Sequence, residues 1–159
     1  MNVKSRHHLK GSEARKISNI IEPLVEDASA LQGSVLEIAE TDQGPSLIFV
    51  NGEPFLLIFE NEPFFTIRGA IELCPKDRLV VVDSGAVSYI VNGADVMAPG
   101  VVEADPKIVP GDMVVVMEER YRKPLAIGQA LVPGTEMHGK GKVVRSIHHV
   151  GDNLWNMSG

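Results

Sequence analysis

Cysteine is almost missing from this chain: one, Cys74, in 159 residues. That excludes an intramolecular disulfide and agrees with a reducing compartment. The expected role of Cys74 is a small buried hydrophobe rather than a catalytic thiol. Aromatic residues are scarce at 5%, so an aliphatic core is expected. No apolar run approaches the roughly 20 residues that span a bilayer. The N-terminal MNVKSRHHLKGSEARK is charged and lacks the apolar segment of a signal peptide. A cytoplasmic protein with no membrane partner is therefore expected. Internal repeats and low-complexity linkers are also absent. What remains, 44% hydrophobic residues, suffices for one ordinary domain or two small ones.

The net charge of −6 argues at first against a nucleic-acid partner, but its distribution is uneven. Lys4, Arg6, Lys10, Arg15 and Lys16 face only Glu13 within residues 1–16, a local charge of +4. Residues 17–75 hold Arg68 against ten acids, and residues 76–159 hold nine bases against ten acids. The later bases cluster at Arg120–Lys123 and at Lys140–Arg145. Phosphate binding needs only a local positive patch.

The hydrophobic pattern divides near Pro75. Ser12 reads as an N-cap for a helix carrying Ile17, Ile20, Ile21 and Leu24 and stopping near Pro23. Ser34–Glu40 alternates as a strand. Leu47–Val50 and Phe55–Phe59 flank Asn51-Gly52, a hairpin signal. Phe64-Phe65 and Ile67–Leu73 read as a strand and a helix ending at Cys74-Pro75. From Lys76 the pattern changes to short apolar strands: Leu79–Val82, Val101–Glu103, Met113–Met117, Leu125–Val132 and Val143–Val150. Pro110-Gly111-Asp112 and Val132-Pro133-Gly134 punctuate them as turns. The fold class is α+β, with an α+β unit over 1–75 and a small barrel over 76–159. No flexible stretch joins them, so the two units are expected to pack together.

The segment VVVDSGAVSYIVNGADVMAPGV, Val80 to Val101, concentrates the chemistry. Its glycines and proline surround a short helical stretch, so backbone, more than side-chain bulk, must approach something closely. Val-Val-Val-Asp83-Ser-Gly-Ala is also like the loop that presents one carboxylate in dimeric aspartic proteases, and Ala126-Ile127-Gly128 imitates the segment supporting that loop. Two carboxylates sharing a proton would then require a symmetric dimer. Against this, SYIVNGA after Asp83 is helical where a strand is needed, and no flap sequence follows. The structural role open to Asp83 is a helix cap.

Gly134–Lys140 imitates a phosphate-binding P-loop, but Gly141 replaces the Ser or Thr that holds magnesium, and a β-branched strand follows in place of a helix. His148 and His149 are adjacent, so on a strand they face opposite sides and cannot chelate one metal. His7-His8 could form a metal site, but a basic tail contacting RNA or a partner is the preferred reading. No metal or cofactor is expected. Two uses of the remaining residues stay open. Gly85-Ala86 and Gly93-Ala94 can leave backbone N–H groups and small side chains open to a nucleotide, with Lys140, Lys142 and Arg145 on a neighbouring strand. Alternatively, the glycines close the barrel and the bases form a solvated edge.

Residues 77–157 resemble a PUA domain, a small RNA-binding barrel. The strand Leu79–Asp83, the Ser84-Gly85-Ala86 helix start, GADVMAPGV, PGDMVVV, LAIGQAL, GKGKVV and GDNLW follow in that domain's order. RHHLKGSEARKISNII and PFFTIRGAIELCP resemble the pre-PUA region of the malignant T-cell-amplified protein family and its archaeal relatives. The ending, a Gly-Lys-Gly turn, Ile-His and Asp-x-Leu-Trp-x-Met, is similar too. The resemblance implies a non-catalytic factor binding structured RNA, either transfer RNA or ribosomal RNA. It would act in translation, at the small ribosomal subunit near the acceptor end of transfer RNA, or in RNA maturation. It implies an RNA surface at Gly85, Ala86, Tyr89, Gly93, Ala94 and Met97, with Lys140, Lys142 and Arg145. The acidic middle of the first unit would face a protein partner. An accessory subunit targeting an RNA-modifying enzyme is the alternative, since 75 residues leave no room for a catalytic domain.

Overall fold

The computed structural model describes residues 1–157, which form two sheets with short helices. The first sheet is an antiparallel array in chain order: β1 (Val3–His8), β2 (Leu36–Thr41), β3 (Ser46–Val50), β4 (Glu53–Phe59) and β5 (Glu62–Phe65). Helix α1 (Gly11–Ile21) joins β1 to β2, and α2 (Ile67–Leu73) follows β5. Asn51 and Gly52 have φ of 50° and 88°, the paired left-handed geometry of a two-residue hairpin turn. Glu60 and Asn61, at 50° and 67°, close the next hairpin the same way without glycine.

Several expectations need correction. Residues 3–8 are not a tail but an edge strand. Helix α1 begins at Gly11, with Lys10 at the cap position and no side-chain bond there, so Ser12 lies inside the helix. Cys74 is exposed rather than buried, because it ends α2 in a left-handed conformation with φ of 50°. The core of the first sheet is not purely aliphatic: Phe49, Phe64 and Phe65 are among its largest fully buried side chains. The last two rings meet edge to face with centroids 4.9 Å apart.

The second sheet comprises β6 (Leu79–Val82), β7 (Val96–Met97), β8 (Val101–Ala104), β9 (Met113–Glu118), β10 (Pro124–Ala130) and β11 (Lys142–His149). Their order is β7-β11-β10-β9-β6-β8, with β6 parallel to β9, and the sheet curls into a nearly closed barrel. Val80, Val82, Ile90, Val114, Val116 and Val144 fill its interior, and this core is aliphatic as expected. Strand β9 is buried along its whole length. Successive side chains leave opposite faces of a strand. Val114 and Val116 accordingly enter the barrel, whereas Met113, Val115 and Met117 join the core of the first sheet. The two sheets therefore share a packed core. The Arg68 guanidinium adds a tie, donating to the Trp155 carbonyl at 2.8 and 3.2 Å and lying 4.6 Å over its ring. Among the described residues, no helix is long and apolar enough to cross a membrane.

Candidate nucleic-acid interface

Strand β6 is followed by Asp83, whose N–H donates to the Gly100 carbonyl at 3.0 Å. The Asp83 carboxylate accepts from the Ala86 N–H at 3.0 Å, capping a 3-10 turn over Ser84–Ala86 that leads into the one-turn helix α3 (Val87–Ile90). The expected helical stretch is thus a tight turn plus a one-turn helix. Asp83 is the cap that its structural reading required, and turn and helix follow where the protease alternative needs a strand. The chain reverses at Gly93, with φ of 93°, and the Ala94 N–H returns to the Tyr89 carbonyl at 3.0 Å. A further 3-10 turn, Ala98–Gly100, with Pro99 in its first turn, brings the chain back toward β6.

These turns enclose an open groove of about 490 Å³. Gly85, Ala86, Tyr89, Ala94 and Met97 all line it, together with Asp83, Ile90, Asp95, Val96, Pro99 and Gly100. Tyr89 and Met97 are 69% and 49% exposed, so they form an accessible rim, while Ile90 is buried. A side chain at Gly100 would place its Cβ 3.2 Å from that of Ala86, so small residues are needed for these two turns to meet. Gly93 is not part of the lining. Its Cβ would point at His149 Nε2, 3.1 Å away, so this glycine shapes the turn from behind the groove.

The three predicted bases separate. Lys142 pairs across β11 and β7 with Met97, and its Nζ lies 2.8 Å from Asp95 Oδ2. The other Asp95 oxygen accepts from the Ser146 N–H at 2.7 Å. The Lys142 bond, seconded by the Ser146 N–H, holds the Asp95 carboxyl below its ordinary range against a smaller opposing effect of burial. Lys140 is exposed beside Gly141, whose φ is 71°, and has no ion-pair partner among the described residues. Arg145 turns elsewhere: it donates to Gln129 Oε1 at 2.7 Å, and its guanidinium stands 5.8 Å over the Phe59 ring of the first sheet. None of the three bases lines the groove; Lys142 adjoins it through Asp95 and Met97.

One polar constellation escaped the sequence reading. His148 is 2% exposed, and its Nδ1 lies 2.8 and 3.0 Å from the two Asp152 oxygens. The same carboxylate accepts from the N–H groups of His149 and Trp155 at 2.9 and 2.8 Å. Burial pushes the Asp152 carboxyl up, but the bonds from His148, Trp155 and His149 outweigh it and hold the group below its ordinary range. The four-residue spacing of His148 and Asp152 was the available signal. Their role is to pin the C-terminal turn against β11. Among the described residues, no three His, Cys, Asp or Glu side chains converge as a metal site would require. In the P-loop-like segment, a Cβ at Gly134 would lie 1.9 Å from the Asp105 carbonyl oxygen, so close packing explains that glycine.

Residues 78–151 match the family model described as the PUA domain. A hypothetical protein of Pyrococcus horikoshii OT3, known from its crystal structure, is 37% identical, with a TM-score of 0.88; the match covers 98% of this chain and all of that one. Translation machinery-associated protein 20 of Saccharomyces cerevisiae is 28% identical over 90% of this chain and 81% of its own length. Malignant T-cell-amplified sequence 1 of Rattus norvegicus is 26% identical over 77% of this chain and 70% of its own length.

Proposed function

This chain belongs to the PUA-domain family, and we propose that it works there as a non-catalytic RNA-binding protein of the translation machinery. The observation that carries this reading is the groove between the Ser84–Ala86 turn and β7, walled by Ile90, Val96 and Pro99 and rimmed by Tyr89 and Met97. Unstacked bases are held by stacking and apolar contact, and their edges are read by nearby polar groups. Tyr89 supplies an exposed ring and Met97 a polarizable thioether beside it. Asp95 is kept ionised and can accept from a base amino group. Lys142, which adjoins the lining residues Met97 and Asp95, and the exposed Lys140 are the cations this reading assigns to phosphate contacts, which position the strand without reading its sequence.

The size of the groove suits a few unpaired nucleotides rather than a duplex. A single-stranded end attached to a folded RNA, such as the acceptor end of transfer RNA, is the ligand class it fits. The name of the yeast relative supports a place in translation, and the small ribosomal subunit is the assembly to examine for co-sedimentation. The test is a filter-binding comparison of intact transfer RNA with the same RNA trimmed of its unpaired 3′ nucleotides. Weaker binding of the trimmed RNA is expected. Equal binding of both would reject recognition of the acceptor end, and no binding of either would reject the RNA-binding reading itself.

A further inference from the structure

We propose that the exposed corner formed by β1 and α1 is a second phosphate-binding surface for structured RNA, separate from the groove; the inference rests on the RNA-binding reading above. Every residue of β1 is exposed, and β1 is the outermost strand of its sheet. Two acids flank this edge, Glu37 on β2 and Asp42 just beyond the strand's end. Glu37 holds Arg6 at 3.0 Å, and that guanidinium also lies 4.0 Å over the Phe49 ring. Asp42 accepts from the Asn2 backbone N–H at 2.8 Å. Lys4, Lys10, Arg15 and Lys16 are exposed and have no ion-pair partner among the described residues. Against these four cations stand three acids: Glu13 on α1, Asp42, whose charge the Asn2 N–H does not cancel, and Glu40, which lies opposite Ser5 in the β1–β2 register. The corner is thus positive within a chain whose net charge is −6.

Lysine on an edge strand has another physical use, which is to discourage pairing with a further strand. That accounts for Lys4 but not for the rest. Lys10 follows the strand, and Arg15 and Lys16 lie on α1, where no sheet edge needs protection. Six strand residues at about 3.3 Å each cover about 20 Å, so the corner can meet several successive phosphates instead of one. With no apolar groove beside these cations, the surface suits backbone contact and not base recognition.

The test replaces Lys4, Lys10, Arg15 and Lys16 together by Gln in the full chain and measures affinity for unfractionated transfer RNA against salt. Each lost phosphate contact lowers the slope of log affinity on log salt by about 0.7–0.9, so the expected loss for four contacts is about 2.8–3.6 with the circular dichroism unchanged. An unchanged slope, with the parent still binding, overturns this inference and leaves the groove reading standing. Self-association of the Gln variant with an unchanged slope would assign the cations to edge protection and also overturn it. Failure of the parent to bind RNA would bring down both readings. Should the fourfold variant misfold, the pairs Lys4→Gln with Lys10→Gln, and Arg15→Gln with Lys16→Gln, serve separately. Each pair is expected to lower the slope by at least about 0.7.

Discussion

Replacing Gly69 by alanine is expected to destabilise the protein by about 2–3 kcal/mol, the usual cost of overpacking a closed contact. Helix propensity alone predicts the opposite sign, because alanine is favoured over glycine inside a helix by about 1 kcal/mol. Packing decides the matter. Helix α2 starts at Thr66, whose hydroxyl donates to the Pro54 carbonyl at 2.7 Å and accepts from the Gly69 N–H at 3.0 Å. The Thr66 N–H reaches the Phe55 carbonyl at 3.0 Å. These bonds press the first turn of α2 onto β4 so closely that a Cβ at Gly69 would lie 1.8 Å from the Phe55 carbonyl oxygen. That neighbour is backbone within a strand and cannot swing aside. The next residue back, Arg68, carries the tie to Trp155, so displacing α2 also loosens the contact between the sheets. For a chain of this length, about 2–4 °C is lost per kcal/mol, and thermal denaturation should show a fall of roughly 4–12 °C. An unchanged or raised Tm would contradict the seating of α2 on β4.

The second large effect is expected from the two lysines beside the groove. Lys140→Glu reverses an unpaired exposed charge and should weaken binding of transfer RNA broadly across sequences, because phosphate contacts carry no sequence information. Lys142 requires a different substitution. A glutamate there would meet Asp95 across the 2.8 Å now spanned by an ion pair, confounding RNA binding with local repulsion. Lys142→Gln combined with Asp95→Asn removes the charge and keeps a neutral polar pair. Together with Lys140→Glu, the loss of two phosphate contacts should lower the salt slope by about 1.4–1.8. Arg145→Gln should have a smaller effect, since that side chain is turned to Gln129 and Phe59. Salt-dependent filter binding checks all three. A larger slope change for Arg145→Gln than for the lysine variant would contradict the placement of the RNA phosphates.

Local rules carried the sequence reading where local rules form the structure. Asn51-Gly52 announced its hairpin because the turn needs left-handed backbone at both positions. The uninterrupted run Met113–Met117 announced a buried strand, and burial on two faces is the physical reason that run lacks alternation. Distance along the chain hid the rest. β1 shows no period because both of its faces are exposed, and it is a strand only through pairing with β2, which begins 28 residues after β1 ends. Glu60-Asn61 closes a tight turn without the usual glycine. Within the site, the turn sequence located the groove but not the direction of each group. Period-two alternation should have separated Lys142 from Arg145, three positions apart on one strand. That Gly93 backs onto His149 depends on β11 lying behind the turn, which no local signal contains.

The central claim is that RNA occupies the groove between the Ser84–Ala86 turn and β7. Photo-crosslinking with transfer RNA carrying 4-thiouridine in its unpaired 3′ end, followed by mass spectrometry of the attached peptide, tests it most directly. Tyr121, as exposed as Tyr89 at 69% and flanked by Arg120, Arg122 and Lys123, provides an internal comparison on another basic surface. Attachment is expected within residues 83–100, at Tyr89 or Met97. Attachment at Tyr121 with none between 83 and 100 would contradict it.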